Sequence, residues 1–342
     1  MPGLPHDYLP GGDRPAGSVR VAIDAMGGDN APGVEVEGAI AAARESAGAI
    51  EIVLVGKRDL LEAEIAKHGG GDLPVSVVHA DEAVAMGESA ASAVRRKRNA
   101  SIVVAADLHK RGLVHGLVSA GNTGAVVASA LLGLGMLPNV RRPAIAGLFP
   151  TALEPAVVLD VGASVDCRPR DLLEFAMMGD AYADYVLARP HPRVALMNIG
   201  EESTKGSELT KEAHRLLSES PLNFVGNVEG RSLLRGVADV VVCDGFVGNV
   251  MLKLTEGVLD FLTSAFSREG AERNLPTLMK KLDYAEYGGA PLLGVAGVII
   301  IAHGSSSPKA IKNAVKVAAR FVNTGLDGRI VERLREVAVK NG

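Results

Sequence analysis

Short apolar runs alternate with longer amphipathic stretches along most of the chain. Strands are predicted at 19–23, 50–56 and 75–79, with helices over 33–46 and 59–68 between them. This βαβαβ alternation implies a parallel sheet covered by helices on both faces. Further helices are predicted over the stretch carrying Arg95–Arg98 and over 101–110. A buried strand ending near Ser119 and a buried helix from about 125 follow. Strands at 144–149 and 156–160 are close enough in sequence to pair, and Pro169 opens a helix to about 187, as proline does in a first turn. The remaining strands are predicted at 193–199, 222–225, 238–243 and 298–302, with Gly226–Arg231 as a polar turn. Helices are expected at 207–217, where Ser207 is suited to cap, at 249–266, and from the last strand to about 321.

The organisation expected is a tail over 1–18, rich in Pro and Gly and disordered, one α/β/α domain over 19–322, and a closing helix over 323–342. Within that domain, an apolar stripe of Val258, Leu259, Phe261, Leu262, Ala265 and Phe266 precedes a polar turn and then Leu275, Leu278 and Met279. The pattern predicts a projecting helical hairpin at about 250–282 whose apolar face serves as core, subunit contact or membrane-surface contact.

Polar residues and glycines gather where the predicted strands end, which is where open α/β sheets place their ligands. Ser119-Ala120-Gly121-Asn122-Thr123-Gly124 joins a buried strand to a helix. Its glycines permit close backbone approach, and the helix start offers unpaired N–H groups suited to an anion. The spacing matches neither the Walker pattern nor the dinucleotide fingerprint. A plain strand-to-helix turn remains the alternative. Asp24, Gly27, Gly28, Asp29 and Asn30 follow the first strand, Asp160 and Gly162 a middle one, and His303 and Ser305 the last. Turn chemistry explains each of these equally well in isolation. Lys205 lies in a charged loop, and Asn249 follows another glycine-rich turn as either an amide donor or a helix cap.

Charge and cysteine content narrow the classes. Among 342 residues, 36 Lys and Arg nearly balance 40 Asp and Glu, which excludes a general nucleic-acid binder. Cys167 and Cys243 form no metal or disulfide pattern, so a cytoplasmic protein without metal or cofactor is expected. The start of the chain lacks a signal-peptide pattern, and no apolar run reaches the length of a membrane span. Arg95, Arg96, Lys97 and Arg98 are either a solvated run or a dock for an acidic partner.

Taken together, several motifs resemble the PlsX family, the acyl-carrier-protein:phosphate acyltransferases of bacterial phospholipid synthesis. They are Asp24-Ala25-Met26-Gly27-Gly28-Asp29, Ser119 to Gly124, Asp160-Val161-Gly162-Ala163, Gly200-Glu201-Glu202 with Lys205-Gly206, and Gly226-Asn227-Val228-Glu229. Asp244 to Asn249, Glu286-Tyr287-Gly288-Gly289 and His303-Gly304-Ser305-Ser306 complete the set, which runs from about 19 to 322. The resemblance implies a three-layer α/β/α fold with a mostly parallel sheet, similar to phosphate acetyltransferases and to isocitrate- and isopropylmalate-type dehydrogenases. It also implies a homodimer that moves a long-chain acyl group from acyl carrier protein to inorganic phosphate. A membrane glycerol-3-phosphate acyltransferase would then use the acyl phosphate. Lys205 and Asn249 correspond to the residues thought to matter most in the family. The hairpin tip, with Arg268, Glu269, Glu272 and Arg273, is charged where family members are described as touching the membrane through an apolar tip.

These roles follow as expectations. Ser119, Asn122 and Thr123 with the helix-start amides of Gly121 to Gly124 seat phosphate, Lys205 offsets its charge, and Asn249 donates to the tetrahedral oxyanion. Asp24, Gly27, Gly28, Asp29, Asp160, His303 and Ser305 line the substrate site. The rival readings are a phosphate acetyltransferase-like enzyme using coenzyme A thioesters and a peripheral scaffold for lipid-synthesis enzymes.

Overall fold

The computed structural model describes residues 17–269 and 288–340. In chain order the elements begin β1 (Val19–Asp24), α1 (Gly33–Glu45), β2 (Ile50–Gly56), α2 (Arg58–Lys67), β3 (Val75–His79), α3 (Ala90–Arg96) and α4 (Ser101–Lys110). They continue β4 (Gly116–Ser119), α5 (Thr123–Gly133), β5 (Ala144–Ile145), β6 (Gly147–Phe149), β7 (Ala156–Leu159), α6 (Pro169–Tyr185) and β8 (Val194–Met197). Then come α7 (Glu208–Ser218), β9 (Phe224–Val228), α8 (Gly230–Leu233), β10 (Val240–Val242) and α9 (Gly245–Glu269). The last described elements are β11 (Ala290–Leu293), β12 (Val298–Ile301), α10 (Pro308–Thr324) and α11 (Leu326–Lys340).

The described residues form two compact units. The first is drawn from Met1–Gly135, Tyr284–Pro291 and Val295–Asn323, the second from Met136–Asp283, Leu292–Gly294 and Thr324–Gly342. The expected mostly parallel architecture is present as two sheets with antiparallel edges. In the first unit β3, β2, β1, β4 and β12 are parallel neighbours in that order, and Ala290 and Pro291 of β11 add an antiparallel edge. Val21, Ile23, Ile52 and Leu54 alternate into a core closed by Val36, Ile40, Ile311 and Val315, all nearly inaccessible. Strands buried on both faces explain the unbroken apolar runs of the sequence.

In the second unit the order is β6-β7-β10-β8-β9, parallel except for β6. α6 is buried along nearly its whole length, including Phe175 and Met178. β5 pairs with Leu292 and Leu293 of β11. The expected strand at 144–149 therefore splits, because its first two residues and its last three face different partners.

Four local expectations need correction. α3 stops at Arg96, so Lys97 and Arg98 are not helical. Gly226-Asn227-Val228 is not a turn but the end of β9, which tolerates Gly226 through a shift in register against β8. α9 begins at Gly245 rather than near Asn249, which removes Asn249 from the capping position. α5 is only half buried: Leu131 and Leu132 are exposed. The tail over 1–16 and the hairpin beyond Glu269, with Glu272, Arg273, Leu275, Leu278 and Met279, lie outside the described residues, as does Glu286-Tyr287.

Candidate functional site

In the first unit the candidate site forms where β1, β4 and β12 end side by side. Asp24 pairs in register with Ser119, and Ser119 with Ile301. The chain leaves β1 towards β2 on one side and returns as β4 on the other, so this is a topological switch point of the sheet. Ser119 is fully buried. Its Oγ donates to Asp24 Oδ2 at 2.7 Å and accepts from the Gly121 N–H at 3.1 Å. Ser101 also hydrogen-bonds Asp24. Burial pushes the Asp24 carboxyl above its ordinary range, and the two serines and the Met26 amide oppose it.

The turn after β1 lies directly on the turn after β4. A side chain at Gly27 would stand 2.7 Å from Asp24 Oδ2 and 2.8 Å from the Gly121 Cα, so only glycine permits this contact. Asn122 caps α5: its Oδ1 accepts from the Ala125 N–H at 3.0 Å, while its Nδ2 donates to the Met86 carbonyl at 2.8 Å. Both ends of that amide are thus committed to the loop rather than free for a ligand. The Asp29 N–H donates to the Gly304 carbonyl at 2.9 Å, and the exposed His303 Nδ1 lies 2.7 Å from Ser305 Oγ. Asp24, Gly27, Gly28, Asp29, Ser119 to Gly124, His303 and Ser305 are therefore brought to one sheet edge. The backbone N–H groups at the start of α5 and the exposed Thr123 are the parts left to meet an anion.

In the second unit the adjacent parallel strands β7, β10 and β8 end at one edge, with Asp160 and Lys205 on the turns that follow β7 and β8 and Asn249 near the start of α9, which follows β10. Asp160 is fully buried, and its two oxygens accept from the backbone N–H groups of Ile145, Gly162, Ala163 and Ser164. Burial raises its carboxyl pKa while those four donors hold it down. It shapes the turn from within. Asp244 caps α9 by accepting from Phe246 and Val247, each at 3.0 Å. A side chain at Gly248 would collide with the Asp160 carbonyl, so glycine lets α9 press against the end of β7.

That contact sets Asn249 over Gly162. A Cβ built on Gly162 would lie 3.6 Å from Asn249 Oδ1. Asn249 is exposed and its amide has no side-chain partner among the described residues. Lys205 is likewise exposed and unpaired among them. Its loop is pinned from below, by Asn198 Nδ2 donating to the Lys205 carbonyl at 3.1 Å and Asn227 Nδ2 donating to the Glu202 carbonyl at 2.9 Å. Sequence reasoning missed Asn198 and met Asn227 only as part of the Gly226–Glu229 motif, because a single polar residue inside or beside a strand carries no local pattern of its own.

Cys243 is buried and Cys167 half-buried, and burial lifts the Cys167 thiol to about 12, which leaves neither as a nucleophile. No cluster of three or more His, Cys, Asp and Glu placed to hold a metal occurs among the described residues. Of the basic run, Arg95, Arg96 and Arg98 are exposed, whereas Lys97 donates to Glu88 at 2.8 Å and to the Ala83 carbonyl.

Comparison with known proteins bears on the fold and the family. Among solved structures, a phosphotransacetylase from Streptococcus pyogenes superposes with a TM-score of 0.60 at 17% identity, covering 90% of this chain and 94% of that one. The EutD phosphotransacetylase of Staphylococcus aureus gives 0.58 at 16%, covering 89% and 94%. At that identity the likeness concerns the fold. The phosphate acyltransferase of Moorella thermoacetica is 53% identical over 321 residues, 90% of this chain and 94% of the relative. That of Heliobacterium modesticaldum is 50% identical over 329 residues, 92% and 98%. A family model described as fatty acid synthesis protein matches residues 19–329, and the chain belongs to that family, alongside these phosphate acyltransferases.

Proposed function

We propose that the chain is an acyltransferase that moves a fatty acyl group from acyl carrier protein to inorganic phosphate, releasing acyl phosphate for phospholipid synthesis. Family membership supports the reaction class. One observation of the geometry carries the assignment of roles. Lys205 and Asn249, both exposed and unpaired among the described residues, follow neighbouring parallel strands of one sheet. A cation and an amide donor so placed suit an anionic nucleophile and a developing oxyanion.

In this reading a phosphate oxygen attacks the thioester carbonyl, and a tetrahedral oxyanion forms with Asn249 donating to it. The C–S bond then breaks and the carrier thiolate leaves. The thiolate is a good leaving group, so the chain's own work is positioning and charge stabilisation. In the first unit the N–H groups at the start of α5 and Thr123 offer a seat for an anion such as phosphate; in the second, Lys205 supplies a positive charge on the same sheet edge as Asn249. Arg95, Arg96 and Arg98 form the dock for the acidic carrier. The three-layer α/β/α arrangement is also our reading, supported by the βα alternation. Phe246, Val250, Leu254, Val258 and Phe261 expose an apolar stripe along α9, which we read as the contact between two subunits. We read the protein as cytoplasmic, with peripheral contact at the membrane where a glycerol-3-phosphate acyltransferase takes the product. No helix among the described residues is long and apolar enough to cross a membrane.

The test supplies phosphate with palmitoyl-acyl carrier protein or palmitoyl-coenzyme A and reads thiol release and hydroxylamine-sensitive acyl phosphate. Phosphate-dependent product from the carrier substrate is expected. Product from coenzyme A alone would transfer the assignment to a phosphate acetyltransferase-like enzyme, and none from either would favour a scaffold.

A further inference from the structure

The loop that carries Lys205 has no core of its own. No side chain from Glu201 to Lys205 is buried, and Ile199 before them is 80% exposed. A segment without buried apolar contacts keeps one shape only if its backbone polar groups are tied down. The Lys205 N–H donates to the Glu202 carbonyl at 3.1 Å, and Asn198 Nδ2 donates to the Lys205 carbonyl at 3.1 Å. Asn198 Oδ1 accepts from the Ile199 N–H at 2.9 Å. Gly206 closes the turn at a φ of 98°, where a side chain would collide with Thr210 and Asn198.

The remaining tie comes from the neighbouring strand and depends on an irregularity in it. β8 advances two residues, Val194 to Leu196, while β9 advances three, Phe224 to Asn227. The extra residue makes a β-bulge, and Gly226 takes it up at a φ of 99°. In an even strand Asn227 would share the face of the exposed Val225. The bulge instead turns Asn227 inward beside Val228, and it is buried. Its Nδ2 donates at 2.9 Å to the Glu202 carbonyl, the same oxygen that accepts the Lys205 N–H. Its Oδ1 lies 3.1 Å from Nδ1 of His214 on α7. An amide oxygen only accepts, so His214 Nδ1 carries the proton and donates. With that bond in place the amide stays as it is, because turning it over would set its oxygen against the Glu202 carbonyl. Phe224 packs edge-on against the imidazole, with ring centres 5.1 Å apart.

We propose that Asn227 and His214 are positioning residues for acyl transfer, acting through the Glu202 carbonyl to fix the backbone from which Lys205 reaches the sheet edge. The proposal rests on the reading of Lys205 as the positive charge at the reacting centre.

Three variants test it. Asn227→Asp keeps the shape but puts an oxygen where the donor was. His214→Phe removes the donor to Asn227, and His214→Asn returns one to a similar place. Each is followed by amide hydrogen exchange over residues 199–206, and by kcat and KM with phosphate and palmitoyl-acyl carrier protein, alone and combined with Lys205→Ala. Exchange over 199–206 is expected to quicken about tenfold in Asn227→Asp and His214→Phe, with β7, β8 and β10 unchanged, and to slow again in His214→Asn. In Asn227→Asp kcat is expected to fall about 100-fold, as for a misplacement of about 1 Å at a reacting group. It is expected to fall no further when Asn227→Asp is added to Lys205→Ala. Exchange that stays at the wild-type rate overturns the proposal. So does a loss in kcat that multiplies in full with that of Lys205→Ala, which marks a merely structural role. Should Asn227→Asp fail to fold, the two His214 variants decide by the same readouts. Full turnover by Lys205→Ala would refute the role given to Lys205, and exchange over 199–206 would then decide alone whether the two residues hold the loop.

Discussion

At the scale of the residue, the two units use buried acids differently from exposed polar groups. Asp160 spends both oxygens on four backbone donors, so Asp160→Ala removes the frame of a whole turn. Hydrogen bonds to a charged group contribute roughly 1.5–3 kcal/mol, and a loss of about 3 kcal/mol in unfolding free energy is expected by urea titration. Asn249 is the opposite case. Its exposed amide holds nothing in place, so Asn249→Ala should keep the melting temperature while kcat falls about 100- to 1000-fold, as for removal of a comparable oxyanion donor. Asn249 was visible in the sequence as a polar residue behind a glycine turn, and the structure removes its alternative as a cap. Glu35, buried at the start of α1, was not visible. Its place in the sequence is that of a solvated first-turn acid, and only the fold turns it inward.

At the scale of the element, the strands were the most legible feature, because runs such as 21–23 and 52–55 are apolar at successive positions and are buried on both faces. Boundaries that contain glycine were misread for a physical reason. Gly245 and Gly248 resemble a turn, yet they begin α9 because the helix must press against Asp160. Gly226 resembles a turn, yet it serves a strand irregularity. The basic run was legible as charge but not as geometry, and its residues separate once α3 ends. Charge reversal of Arg95, Arg96 and Arg98 should raise the KM for the carrier protein and leave that for phosphate unchanged, measured in steady-state assays. Lys97→Ala, by contrast, should lower thermal stability slightly with no effect on carrier KM, because Lys97 is bonded to Glu88 and Ala83.

At the scale of the whole molecule, stability should depend on pH through groups that hold protons only when folded. Burial lifts Asp327 to about 6 from 3.8 and Glu35 to about 7 from 4.5. Each therefore adds stability that is complete below its ordinary value and disappears as pH rises through its folded value. Stability at pH 8 should fall below that at pH 5 by an amount that Glu35→Gln and Asp327→Asn together reduce, read as midpoints of urea unfolding. Glu45 works in the other direction, held to about 2 by Lys312 and Lys316, but it acts only in acid. The path of the chain has a consequence of its own. β4 becomes an interior strand of its sheet only when β12 pairs beside it, and about 180 residues separate them in sequence. During synthesis on the ribosome, residues up to 135 therefore emerge with an unpaired apolar strand edge that waits for β12 to be made. A nascent chain arrested before Val298 should be bound by chaperones, and its anion seat should lack one wall until β12 and the turn after it have been synthesised.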